Sequence, residues 1–292
     1  NTNGNNITAS TSSGDLSVVS INAGAGTVDL TASGGKVLDS TPSDDASVNI
    51  TASSVSLSGS TGVGASGLGD IDTASTTLEL TTTSSGDIFV ADSDAVTLAT
   101  SSTASNGSID VRTGSGDLTV SSAINADGSG DISLNATGNL IVNNSLATTS
   151  GDITLIGGTG LSHSASGNLS TAGVGTITVA STSSDVTMVD GTTYTAAGGT
   201  VSVTGASNVA LGQIVNASGA SNVTATGGSI TDVTSAEDSG NENISGTTIT
   251  LSSATGIGAS GAANDIDIAA TTILASDSGT GGIYLAETDG VA

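Results

Sequence analysis

The sequence has no cysteine and no tryptophan, one proline (Pro42), one phenylalanine, two tyrosines and only two basic residues, Lys36 and Arg112. Each shortage excludes something. Without cysteine there is no disulfide, thiolate metal site or cysteine nucleophile. A compact core normally uses aromatic rings as its largest packing units, so this core must be built from Val, Ile, Leu, Ala and Thr. Two basic residues against 27 acidic ones leave a net charge of −25. That balance gives no footprint for nucleic acid or an anionic membrane, both of which are bound through Lys and Arg. No apolar run reaches the roughly 18 residues of a transmembrane helix, so membrane insertion is not expected. The opening Asn1-Thr2-Asn3 has no basic region and no apolar stretch behind it, so the chain reads as a mature or internal piece.

What is abundant is glycine, 42 residues of 292, set between short phrases that repeat. One phrase reads Gly86-Asp87-Ile88-Phe89-Val90, Gly107-Ser108-Ile109-Asp110-Val111, Gly130-Asp131-Ile132-Ser133-Leu134, Gly151-Asp152-Ile153-Thr154-Leu155 and Gly175-Thr176-Ile177-Thr178-Val179. Its leading isoleucines step by 21, 23, 21 and 24 residues. A second phrase follows each: Val96-Thr97-Leu98, Leu118-Thr119-Val120, Leu140-Ile141-Val142 and Val186-Thr187-Met188, with Leu161 standing in its place between the last two. Apolar residues alternate with Thr, Ser or Asp inside each phrase, the period of a strand with one buried face. No segment carries a helical stripe. Gly, Asn and Asp between phrases supply turns.

The fold class expected is all-β, a parallel β-helix or β-solenoid with about 22 residues per coil. The 292 residues then make roughly 13 coils, and at about 4.8 Å per coil a rod about 60 Å long. Ile88, Ile109, Ile132, Ile153 and Ile177 would stack in one inward column, and Val90, Val111, Leu134, Leu155 and Val179 in the next. A single coil cannot bury its own face, so stability must come from stacking. Tandem β-sandwich domains are the main rival, but they repeat near about 100 residues around buried aromatics.

A longer repeat overlies the short one. Thr61-Gly62-Val63-Gly64-Ala65-Ser66-Gly67 recurs as Thr255-Gly256-Ile257-Gly258-Ala259-Ser260-Gly261, Asp70-Ile71-Asp72 as Asp265-Ile266-Asp267, and Asn49-Ile50-Thr51 as Asn243-Ile244-Ser245. The offset drifts from 193 to 195. Residues 1–97 and about 194–292 therefore read as two copies of one segment. The super-repeat unit spans about 1–193 within a single continuous solenoid over 1–292. The expectation is an excerpt of a longer tandem array, or a unit that stacks head to tail.

The run Gly130-Asp131-Ile132-Ser133-Leu134-Asn135-Ala136-Thr137-Gly138-Asn139-Leu140-Ile141-Val142, followed by Gly151-Asp152-Ile153-Thr154-Leu155, resembles the haemagglutinin-type repeats of filamentous-haemagglutinin-like exoproteins and related giant bacterial surface adhesins. The similarity is strongest over residues 84–190. The resemblance implies a right-handed β-helix, secretion, an extracellular or cell-surface location, and a role in adhesion or fibre formation.

The chemistry-bearing residues are few. The lone His163, in Leu161-Ser162-His163-Ser164-Ala165, reads as a surface or turn histidine rather than a catalytic base. Asp44-Asp45 and Asp70/Asp72 are the nearest carboxylate pairs for a glycosidase, but no aromatic platform accompanies them. No catalytic residue and no required cofactor is expected, and the chain is read as not an enzyme. Calcium is the strongest ligand candidate. Asn125, Asp127 and Asp131 place oxygens on a glycine-rich turn. Asp152 would lie one coil from Asp131, where like charges favour a cation between them. Nine Asn-x-Ser/Thr sequons occur, among them Asn6, Asn49, Asn135 and Asn168. Lys36 and Arg112 read as isolated. The expected function is a structural extracellular fibre or stalk whose partner is itself, as a head-to-tail homopolymer or a longer covalent array. A segment binding cell-surface glycans or a receptor is the alternative, and a polysaccharide-acting enzyme the third. End-to-end growth is expected, with divalent cations promoting lateral association.

Overall fold

The computed structural model describes residues 2, 4–41, 47–234, 242–261, 264–288 and 290. They form an all-β parallel solenoid of about 12 turns with about 23 residues per turn. No helix occurs among the described residues. The turns are slightly fewer and longer than the short phrases suggest. The excess arises in part where strand spacing lengthens, as between the paired Ile21 and Ile50 and between the paired Ile214 and Ile244. The chain divides into two compact units, Asn1–Asn139 and Leu140–Ala292.

In the first unit one face stacks strands Ile7–Thr11, Thr27–Ala32, Ser54–Gly59 and Thr77–Thr82, all parallel. Leu30, Leu57 and Leu80 form its buried inward column. The facing column runs Val37, Val63, Ile88, Ile109 and Ile132, each fully buried. Midway the two faces exchange character. Strand Ile88–Asp92 accepts two short strands on one edge, pairing Ile88 with Val63 and Val90 with Ile71. Strand Val96–Thr103 in turn receives Leu118–Val120 and Ile124–Ala126.

In the second unit strands Ile153–Gly157, Ile177–Ser181, Val201–Gly205, Ala220–Ala225, Ile244–Ser253 and Ile266–Asp277 pair in register. Leu155, Val179, Val203, Val223 and Leu251 fill the interior. The long repeat is visible in the register of each unit. Leu30 pairs with Leu57 in one, as Val223 pairs with Leu251 in the other. Likewise Val37–Val63–Ile88 is matched by Ile230–Ile257–Ile283.

Stacking also explains the glycine that opens the first phrase. A Cβ on Gly130 would lie 2.0 Å from the Gly107 carbonyl oxygen, and one on Gly175 the same distance from that of Gly151. Coil spacing is set by the inter-strand hydrogen bonds, so a methyl there must force the backbones apart. Gly175→Ala is expected to destabilise its coils by about 1–3 kcal/mol, the usual range for overpacking. Gly198→Ala, whose Cβ would meet nothing closer than 3.5 Å, should be nearly neutral. Amide hydrogen exchange of the strands on either side reads the difference.

Buried threonines complete these corners. Thr103 Oγ1 donates to the Gly107 carbonyl, at 2.5 Å, and Thr148 Oγ1 to that of Gly151, at 2.6 Å.

Candidate functional site

The exchange of faces in the first unit gathers the chain's most unusual side chains. Asp72, Ala91 and Arg112 occupy one outward row on successive strands. Ala91 is small, so Arg112 reaches across it, and its Nη2 lies 2.7 Å from Asp70 Oδ2. The Asp70 side chain is only 1% exposed while that of Arg112 is 39% exposed. Asp110 sits two residues before Arg112 on the same strand. Burial pushes its carboxyl above the usual range, and the Arg112 guanidinium partly opposes this.

Asp92 ends the strand before. It is buried and its Oδ2 accepts hydrogen bonds from Thr73 Oγ1 (2.7 Å), the Ser75 amide (3.0 Å) and Ser75 Oγ (2.8 Å). Its Oδ1 takes the Asp94 amide at 3.0 Å. Burial still raises its pKa, these donors offsetting only part of the effect. A cleft of about 390 Å³ opens here, with Asp72, Asp92, Ser93 and Arg112 on its wall. Arg112 is therefore not isolated, and Asp70 is committed to an ion pair. Asp44 and Asp45, the other carboxylate pair singled out, lie outside the described residues.

His163 is not a surface or turn residue. It ends strand Gly160–His163 facing inward and is 3% exposed. Its Nδ1 lies 2.7 Å from the Gly167 carbonyl and its Nε2 2.8 Å from the Tyr194 hydroxyl. A carbonyl only accepts, so Nδ1 carries the proton and Nε2 accepts from Tyr194. Burial lowers the histidine pKa to about 4, the Gly167 bond opposing, and raises that of Tyr194. Period two from the buried Leu161 points His163 inward, but a lone polar residue at a strand end gave no sign of the partners that make its burial possible.

The aspartates of the repeated phrase have a structural task. Asp152 is exposed and its Oδ1 accepts the Thr176 amide, one coil on, at 2.7 Å. Asp185 does the same for Asn208, and Asp117 for Asn139. Of the other calcium candidates, Asn125 lies on strand Ile124–Ala126, Asp127 Oδ1 accepts the Gly128 amide at 2.9 Å, and all three of Asn125, Asp127 and Asp131 are exposed. Among the described residues no group of three or more Asp, Glu, His or Cys is placed to hold a metal ion.

A further motif repeats in both units. Asn49 is buried, donates to Asp39 Oδ1 (2.8 Å) and accepts the Asp72 amide (2.8 Å). Asn243 is buried, donates to Asp232 Oδ1 (2.6 Å) and accepts the Asp267 amide (2.8 Å). The recurrence of Asn49-Ile50-Thr51 as Asn243-Ile244-Ser245 was the signal for this pair. Both asparagines head sequons whose amides are occupied in the folded chain.

No protein-family model, no curated protein and no solved structure matches this chain. The fold itself defines the class, a tandem-repeat β-solenoid.

Proposed function

We propose that this chain is a structural repeat segment of an extracellular fibre or stalk, in which coils stack end to end and length is the working property. The observation that carries the reading is the long repeat. The same short stack of coils recurs with the same register and the same buried Asn–Asp bridge. A segment that can be copied without altering its packing suits a protein that varies in length. Each coil presents unpaired backbone N–H and C=O groups on its edges, and the next coil satisfies them whether it belongs to the same chain or another. The resemblance to filamentous-haemagglutinin-like repeats supports secretion and a surface location.

Electron microscopy of the purified chain, with calcium and with chelator, tests this. Long uniform filaments support assembly through coil edges. Short separate particles place fibre continuity in a longer covalent array. Compact beads count against the reading. Bundling with calcium that chelator reverses would support cation binding at Asn125, Asp127, Asp131 or Asp152.

The cleft beside Arg112 favours a second reading, an adhesin segment. Its volume falls within the range of about 300–1,000 Å³ for ligand sites, and its carboxylates and guanidinium suit a hydroxyl-rich glycan. Glycan-array binding by the wild-type chain that is lost on Ser93→Trp would favour it.

A further inference from the structure

Among the described residues, the second unit carries a face on which no charge stands. Thr154, Thr178, Ser202, Asn222, Thr250 and Leu274 form one outward row across six paired strands. The residues two further along each strand form a second row, from Ile156 to Ser276, and these too are uncharged. The nearest acids on these strands' ends are Asp152, just before the first, and Asp277, which closes the last. The first unit differs. Its corresponding row of long strands runs Thr8, Asp29, Ser56 and Glu79. In a chain of net charge −25, the neutral face is where two copies can approach without bringing like charges together.

We infer that this face is where a second copy of the chain lies alongside the first. The lattice argues for a copy rather than an unrelated partner. Hydroxyl rows at about 4.8 Å between strands meet an identical spacing on another solenoid, so contacts stay in step however many coils are joined. The area sets the strength. Five residues at about 3.3 Å and six strands at about 4.8 Å cover about 480 Å². A standard stable interface buries about 800 Å² per partner. Two single chains therefore pair weakly, and the contact strengthens as more neutral coils are added. Divalent cations are not required, because no carboxylates meet. The inference deepens the fibre reading but is independent of end-to-end growth, which uses coil edges and is read separately by microscopy.

The test is sedimentation equilibrium of the full chain up to about 1 mM in about 1 M salt, where charges are screened beyond about 3 Å. The wild type should form a concentration-dependent dimer, unchanged by chelator. Thr178→Glu with Thr204→Glu, both on this face, should weaken it at least about tenfold, the effect of about 1.4 kcal/mol. Ser170→Glu with Thr195→Glu, paired outward residues on another face, should leave it intact. Since the chain has no cysteine, a nitroxide on Ser202→Cys should show intermolecular broadening that one on Ser170→Cys lacks. A wild type that stays monomeric throughout, or two double variants equally weakened, overturns the inference. Binding to an insoluble neutral polysaccharide without any self-association would also overturn it, by assigning the face another occupant.

Discussion

Arg112→Ala is expected to destabilise the coils around it by about 3 kcal/mol, the lower end of the range for breaking a buried ion pair. The lower end applies because Arg112 is partly in solvent while Asp70 is not. The cost lies less in the lost attraction than in the carboxylate left behind. Asp70, 1% exposed beside Arg112, would lose its counter-ion, and Asp110, already raised by burial, would lose the charge that opposes the rise. Two features separate this from a packing defect. The deficit should shrink as pH falls through the carboxyl range, since protonation removes the buried charge. Asp70→Leu added to Arg112→Leu should recover most of the loss, because an apolar pair of similar volume avoids desolvation altogether. Solenoids open locally, so hydrogen exchange of strands Ile71–Ala74, Ile88–Asp92 and Ile109–Thr113 is the measurement. Unchanged exchange in Arg112→Ala would mean the ion pair contributes nothing.

The second large effect is acid sensitivity centred on His163. In the unfolded chain its pKa is near the ordinary 6.5, and in the folded chain about 4. Between those values the unfolded state holds more protons, so stability falls as pH falls. The contribution is fully present above about pH 7, declines through the interval and is exhausted below about pH 4. The two pKa values differ by about 2.5 units, which at 1.36 kcal/mol per unit amounts to about 3 kcal/mol. Asp92 and Asp110, whose folded pKa values are raised, act with the opposite sign but lie in the first unit. Hydrogen exchange of strands Gly160–His163, Leu169–Thr171 and Thr193–Ala196 at pH 7.5 and pH 4 reads the local term. His163→Gln, which can still bond to Gly167, should flatten the pH dependence there. An equal fall in wild type and variant would assign acid sensitivity to other groups.

Much of the fold was legible because the solenoid makes every coil restate the same demands. Ile88, Ile109 and Ile132 share a column in the first unit, and Ile153 and Ile177 in the second, where a step near 22 residues places them. The glycine of the phrase is explained by backbone approach to the coil before, and its aspartate by an amide on the coil after. The spacing hinted at both but could not name their partners. The polar interior was not legible. Thr103, Thr148, Asn49 and His163 are buried because each finds a backbone carbonyl or side-chain partner across a corner, and a partner is what makes burial of a polar group affordable. Composition treats them as surface residues. Arg112 escaped for a related reason. Its partner Asp70 stands just before strand Ile71–Ala74, two strands from that of Arg112, a proximity that exists only once coils are stacked.

X-ray diffraction from oriented films of the chain addresses the stacked-coil architecture most directly. Coils that pair strand upon strand should give a sharp meridional reflection near 4.8 Å. Its absence, or a 4.8 Å reflection found only off the meridian, would contradict a solenoid whose strands run across the stacking axis.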